Sequence, residues 1–169
     1  MHATLLLARL IHVVTGVFWA GTIIFNATYL FPSLRDAGPD AAKVAAGLMK
    51  RRFLDVLPAV ALLTILSGLW LYWTDSAGST AFMRSGTGMA FGTGAVLALV
   101  GFALGVGIMR PAMLRAASLS MGAASLASPE KEQHLSQAQA LRMRAGAVGR
   151  VVAWLLTLAA SAMAIARYV

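Results

Sequence analysis

One histidine inside an apolar stretch is where this sequence first offers chemistry. The run from Thr4 to Leu30, TLLLARLIHVVTGVFWAGTIIFNATYL, is long enough to span a bilayer and still carries Arg9, His12 and Asn26. Arg9, His12, Gly16, Trp19, Ile23 and Asn26 recur at helical spacing and so share one face. Polar side chains are costly in lipid, so this face is expected to look into a bundle. An imidazole placed there can ligate haem iron or copper through a ring nitrogen, with the thioethers of Met89 and Met163 approaching the same leaflet from later helices. It does equally well by donating a hydrogen bond to a carbonyl across a helix interface. A stable haem usually takes two axial ligands, and no second histidine lies in a membrane span, since His2 is terminal and His134 falls in a polar segment. Asp55 is the acidic group inside a span. A neighbouring arginine or a backbone amide is expected to neutralise it, or it stands as a helix-end carboxylate beside Arg51 and Arg52.

The elements that must position these groups are helices in a membrane. With 169 residues, 59% hydrophobic and 12% charged, and a mean hydropathy of +0.76, the chain is too apolar for a soluble domain. It is also too short for two membrane domains, so residues 1–169 are read as one. The expected fold is an all-α four-helix bundle with spans at about 4–30, 53–74, 88–109 and 151–168. The absence of cysteine removes disulfides, thiolate metal sites and thiol catalysis. The amino terminus has no Lys or Arg ahead of its apolar run, which is too long for a signal-peptide core, and is expected to be retained.

Between the first two spans, residues 31–52 hold two prolines and seven charged residues, with a short interfacial helix over Ala41–Met49. Pro58 should kink the second span near its start, because it lacks an amide donor and crowds the carbonyl four residues back. Trp70, Tyr72 and Trp73 close that span as an aromatic belt. The third span is glycine-rich. Its pairs Gly88 with Gly92 and Gly101 with Gly105 predict a close-packed interface. Residues 110–150 read as a helical hairpin protruding from the membrane, its second arm started by Ser128 as N-cap, Pro129 and Glu130. In the fourth span, Arg150, Trp154, Thr157, Ser161 and Ala164 form the stripe expected to pack on the other helices.

Eleven of the fourteen Lys and Arg residues lie in segments 31–52 and 110–150, leaving Arg9, Arg84 and Arg167 for the other side. The positive-inside rule then puts both long loops in the cytoplasm and both termini in the periplasm. The net charge of +8 follows from this topology and calls for no nucleic-acid partner. Attraction to anionic lipid headgroups follows as a secondary effect that needs no dedicated site.

The runs Arg9–Gly21 (RLIHVVTGVFWAG), Met49–Ala59 (MKRRFLDVLPA) and Gly68–Tyr72 (GLWLY) resemble the first two helices of small bacterial membrane proteins of the copper-resistance-D-like group. They are also distantly similar to the membrane-embedded bacterial protoporphyrinogen oxidases, whose pattern Arg9, His12, Trp19, Ala20, Gly21, Met49, Arg52 and Pro58 match. The likeness covers about the first 75 residues, and the ending Ala-Ile-Ala-Arg-Tyr resembles the close of many copper-resistance-D-like chains. It implies a bacterial inner-membrane protein with haem b or copper, His12 as ligand, Arg9 as propionate or gating partner and Trp19 beside the cofactor. The oxidases carry a further histidine and a lysine on the third helix, where this chain has glycine, alanine and leucine, so oxidase activity is not carried over. Two function classes follow: a haem- or copper-associated redox or metal-handling protein, and a non-catalytic accessory subunit packing on itself or on a larger membrane complex. A small transporter ranks last, for want of a repeat or of paired broken helices.

Overall fold

In the computed structural model, every regular element among the described residues is helical. The structure describes residues 2–38 and 41–169; Met1, and Pro39 and Asp40 of the expected first loop, lie outside the described residues. Among the described residues four helices are long and apolar enough to cross a membrane: α1 (His2–Asp36), α3 (Phe53–Ser76), α5 (Gly86–Ser125) and α6 (Glu130–Tyr168). Two short ones connect them, α2 (Ala41–Lys50) and α4 (Thr80–Arg84). The most extensive packing pairs α1 with α3 and α5 with α6. The core between the pairs is built from Trp19 and Ile23 of α1, Leu57, Ala61 and Ile65 of α3, Met109 of α5, and Val152 and Leu156 of α6.

The inward stripe of α1 holds from His12 onward, with Trp19, Ile23 and Asn26 buried and Gly16 approaching the side chain of Thr64, while Arg9 at its head is exposed. The stripe of α6 is not. Arg150, Trp154, Thr157, Ser161 and Ala164 are exposed, and the buried face is Ala145, Gly149, Val152, Leu156 and Ala159. The reason is local. Thr157 donates to the carbonyl of Ala153 and Ser161 to that of Thr157, so each hydroxyl is satisfied within its own helix and needs no inward partner.

The glycine pairs of α5 are only partly where the close contacts fall. A Cβ on Gly94 would lie 2.9 Å from two atoms of Met163 and 3.1 Å from the Ala159 carbonyl, whereas Gly101 has room at ordinary contact distance and Gly105 faces open space. Gly94 is thus a tight contact with α6 that no expected pair contained. Gly88 is covered by the preceding turn at Phe82, and the Tyr72 hydroxyl donates to its carbonyl at 3.4 Å.

Both α1 and α5 contain one π-helical turn, Asn26–Leu30 and Gly105–Met109, and each is followed two residues later by proline, Pro32 and Pro111. The amides of Phe31 and Arg110 reach back to the carbonyls of Asn26 and Gly105, and this widened register makes room for rings that would otherwise crowd the preceding turn. The two widened turns flank α6, where Gly149 faces both Phe31 and Met109. At the foot of α6, Ser128 does not cap the helix. Its hydroxyl donates to the Glu132 carboxylate at 3.0 Å, the residue before the helix is Pro129, and first-turn amides are taken up by the carbonyls of Ala127 and Pro129.

Candidate functional site

His12 is held by one turn of α3. Gly68 has no side chain, which lets the imidazole settle against the α3 backbone, and Nδ1 lies 2.8 Å from the carbonyl oxygen of Thr64. A carbonyl only accepts, so Nδ1 carries a proton and donates, and in the neutral tautomer this contact selects, the lone pair is on Nε2. No hydrogen bond engages Nε2 among the described residues, and the ring is half-buried. One turn along α1, the Thr64 hydroxyl meets the Thr15 hydroxyl at 2.8 Å, and Thr15 donates to the carbonyl of Ile11 at 2.7 Å. Thr64 is therefore the hub of a polar seam, accepting from His12 on its carbonyl and donating its hydroxyl to Thr15. Thr15 was not singled out by the sequence; its signal was its place three residues after His12 on the inward side.

The other expected site residues have separate roles. Arg9 lies 3.7 Å from the carboxylate of Asp75 near the end of α3, with 60% of its side chain exposed, and is engaged there. Trp19 is closed into the core and meets Phe102 edge to face at 6.4 Å. The thioether of Met163 packs against Gly94, and Met89 is 57% exposed on α5. The neighbours fixed around His12 are those of α3.

A second polar knot lies at the opposite end of α3. Pro58 has no amide proton, so the carbonyl of Leu54, four residues back, loses its helical donor. Arg110, the residue directly after the widened turn of α5, fills that position: its Nε donates to the Leu54 carbonyl at 2.9 Å and one Nη to Asp55 Oδ1 at 2.7 Å. Arg52 adds a weaker contact to Asp55 at 3.6 Å. The expected neutralising arginine is thus Arg110, more than the adjacent Arg51 and Arg52. Beside this knot is a cavity of about 30 Å³ lined by Trp19, Leu57, Pro58, Phe102, Met109 and Arg110. That is room for about one water and far too small for a porphyrin.

Among the described residues no three His, Asp or Glu side chains converge as a metal-binding group. What the chain does present to a metal is a single imidazole nitrogen with its tautomer fixed, the arrangement in which a ligating histidine is usually held by its other ring nitrogen. Compared with protein-family models, with curated proteins and with solved structures, the chain matches none.

Proposed function

We propose that this protein is a multi-pass inner-membrane protein associated with haem or copper, with His12 Nε2 as the ligand atom it supplies. The observation that carries this is the Nδ1 contact with Thr64, which ties down one ring nitrogen and leaves Nε2 without a hydrogen bond on a partly accessible ring. Haem fits the donor set better than copper. A haem can be held by one protein ligand, while copper sites draw on two or three, and here Met163 packs against Gly94 and Met89 lies exposed on α5. The small internal cavity has no room for a porphyrin, so His12 would have to hold the group at the edge of the α1–α3 pair. When bound, haem would supply one-electron chemistry; the chain's own part is to present Nε2 and to hold the ring in place through Thr64 and Gly68.

The spectrum of the purified protein, expressed with ample haem and copper, is expected to show a pigment that His12→Ala abolishes and His134→Ala leaves intact. A second reading has its own observation: the Thr64 contact and the fit over Gly68 are by themselves sufficient reason for a histidine here. A colourless, metal-free wild-type protein gives that reading the field, and the chain is then a non-catalytic subunit packing on itself or on a larger complex.

Membrane insertion is supported by the exterior of α1, where Leu6, Leu10, Val13 and Val17 are all more than half exposed, an apolar face that a soluble monomer does not show to water. We place both termini in the periplasm and segments 31–52 and 110–150 in the cytoplasm, with the lower parts of α5 and α6 standing clear of the bilayer as a hairpin in which Arg142 donates to Ser120. A cysteine introduced at Ser79 should react with an impermeant thiol reagent on intact cells, and one at Ser136 should not. The reverse labelling inverts the topology.

A further inference from the structure

We infer that the cavity where the four long helices meet is a binding site for one water molecule, which accepts from the indole N–H of Trp19 and donates to the backbone carbonyl of Val106. The cavity, about 30 Å³, is bordered by Trp19 of α1, Leu57 and Pro58 of α3, Val106 and Arg110 of α5, and Val152 of α6. A space of this size holds about one water when two or more polar groups reach it, and stays dry when its walls are apolar throughout. The donor is on α1. Trp19 is 5% exposed, and no hydrogen bond engages its Nε1 among the described residues. An indole N–H taken into a core ordinarily finds a partner, and the ring neighbour Phe102 brings no lone pair. Among the described residues, His134 Nδ1 is the one buried side-chain atom with neither a hydrogen bond nor contact with space that a water can enter. Trp19 Nε1, equally unbonded, therefore keeps such contact, and the cavity is the space its side chain borders.

The acceptor follows from the widened turn of α5. In a regular helix the amide of Arg110 would bond the carbonyl of Val106, four residues back; here it bonds that of Gly105. The next residue, Pro111, has no amide to offer. The Val106 carbonyl is thus left without a helical donor, on a residue that borders the cavity. A ligand between an N–H and a bare carbonyl must both accept and donate, as water does and a simple anion does not. Arg110 adds N–H groups beyond those engaged by Leu54 and Asp55, and its charge is balanced by that carboxylate. In α1 the carbonyl of Ala27 is freed in the same way, by the bond of Phe31 to Asn26 and by Pro32, but Ala27 does not border the cavity. This site stands apart from any cofactor at His12.

Nuclear magnetic resonance of the full-length protein in detergent micelles, isotopically labelled on the tryptophan indoles, decides the matter. Trp19→Phe identifies the Trp19 indole resonance by its loss. In wild type that proton should show a cross-relaxation peak to water with the sign of a long-lived bound molecule. Pro111→Ala gives the Val106 carbonyl a local amide again and should remove most of the peak, whereas Pro32→Ala, which relieves Ala27, should leave it unchanged. Ala61→Val fills the cavity from α3 and should abolish the peak and move the indole resonance upfield, with helical circular dichroism showing the fold retained. A Trp19 proton with no water peak in wild type overturns the inference, as does a resonance that instead follows chloride concentration, which would assign an anion. So does a peak that survives Ala61→Val in a folded protein, or one that falls equally in the two proline variants. Should Ala61→Val fail to fold, the proline pair still decides.

Discussion

Arg110→Gln should destabilise the bundle markedly, and Pro58→Ala should return part of the loss. The proline leaves the Leu54 carbonyl without its helical donor, and Arg110 Nε supplies one at 2.9 Å. Glutamine is too short to reach both Leu54 and Asp55, so the carbonyl is orphaned at the edge of the apolar core, a loss of about 1–3 kcal/mol for an unsatisfied group. Alanine at position 58 restores the missing amide, which makes the carbonyl's partner local again. In the Pro58→Ala background Arg110→Gln should therefore cost about 1 kcal/mol less than it does alone, a coupling that helical circular dichroism during thermal unfolding in detergent can resolve. Strict additivity would mean that Arg110 serves Asp55 alone and that the Leu54 contact carries no weight. The fit of this knot also explains the widened turn ahead of Arg110. Pro111 forces the local register of α5 open, and the next side chain is delivered to the place where α3 has its own proline.

The sequence was most legible where burial has a high penalty. Lipid makes a polar side chain on an exposed helix face expensive, and so the stripe from His12 to Asn26 could be read without a structure and does face the bundle. The same rule misled on α6, because hydroxyls of threonine and serine escape the penalty by bonding to their own helix, as Thr157 and Ser161 do. Glycine spacing showed that α5 packs closely but not where. Gly94, outside the expected pairs, makes the tight contact because Met163 and Ala159 happen to meet it, and that depends on the rotation of α6. The widened turns were missed, although each leaves a mark in the sequence: an isolated proline, Pro32 or Pro111, inside a continuous apolar helix calls for a local change of register. Around His12, the face could be read but the partner could not. Thr64 and Gly68 lie more than fifty positions away, and nothing in the spacing of α1 says which turn of α3 it meets.

Gly68→Ala should have the second large effect, and its pairing with His12 makes it diagnostic. A Cβ at position 68 would lie 2.6 Å from Cε1 and 2.9 Å from Nδ1 of the imidazole, closer than atoms tolerate, so the ring or the helix must move. Moving the ring draws Nδ1 away from the Thr64 carbonyl and releases the proton position that keeps Nε2 open. The expected loss is about 1–3 kcal/mol for overpacking a close helix contact. Gly21→Ala, where nothing lies within 4 Å, should be neutral or slightly stabilising. Removing the ring should remove the clash. The double variant His12→Ala, Gly68→Ala should be more stable than the sum of the single losses by about 1 kcal/mol. Gly68→Ala as stable as Gly21→Ala would show that the imidazole is free to leave this position and that Thr64 does not fix it. The spectrum then separates the two functions. If Nε2 ligates haem, Gly68→Ala should shift or bleach the absorption while Gly21→Ala leaves it unchanged, because only the former displaces the ligand. If the histidine is a helix staple, both variants are equally colourless and the difference between them appears in stability alone.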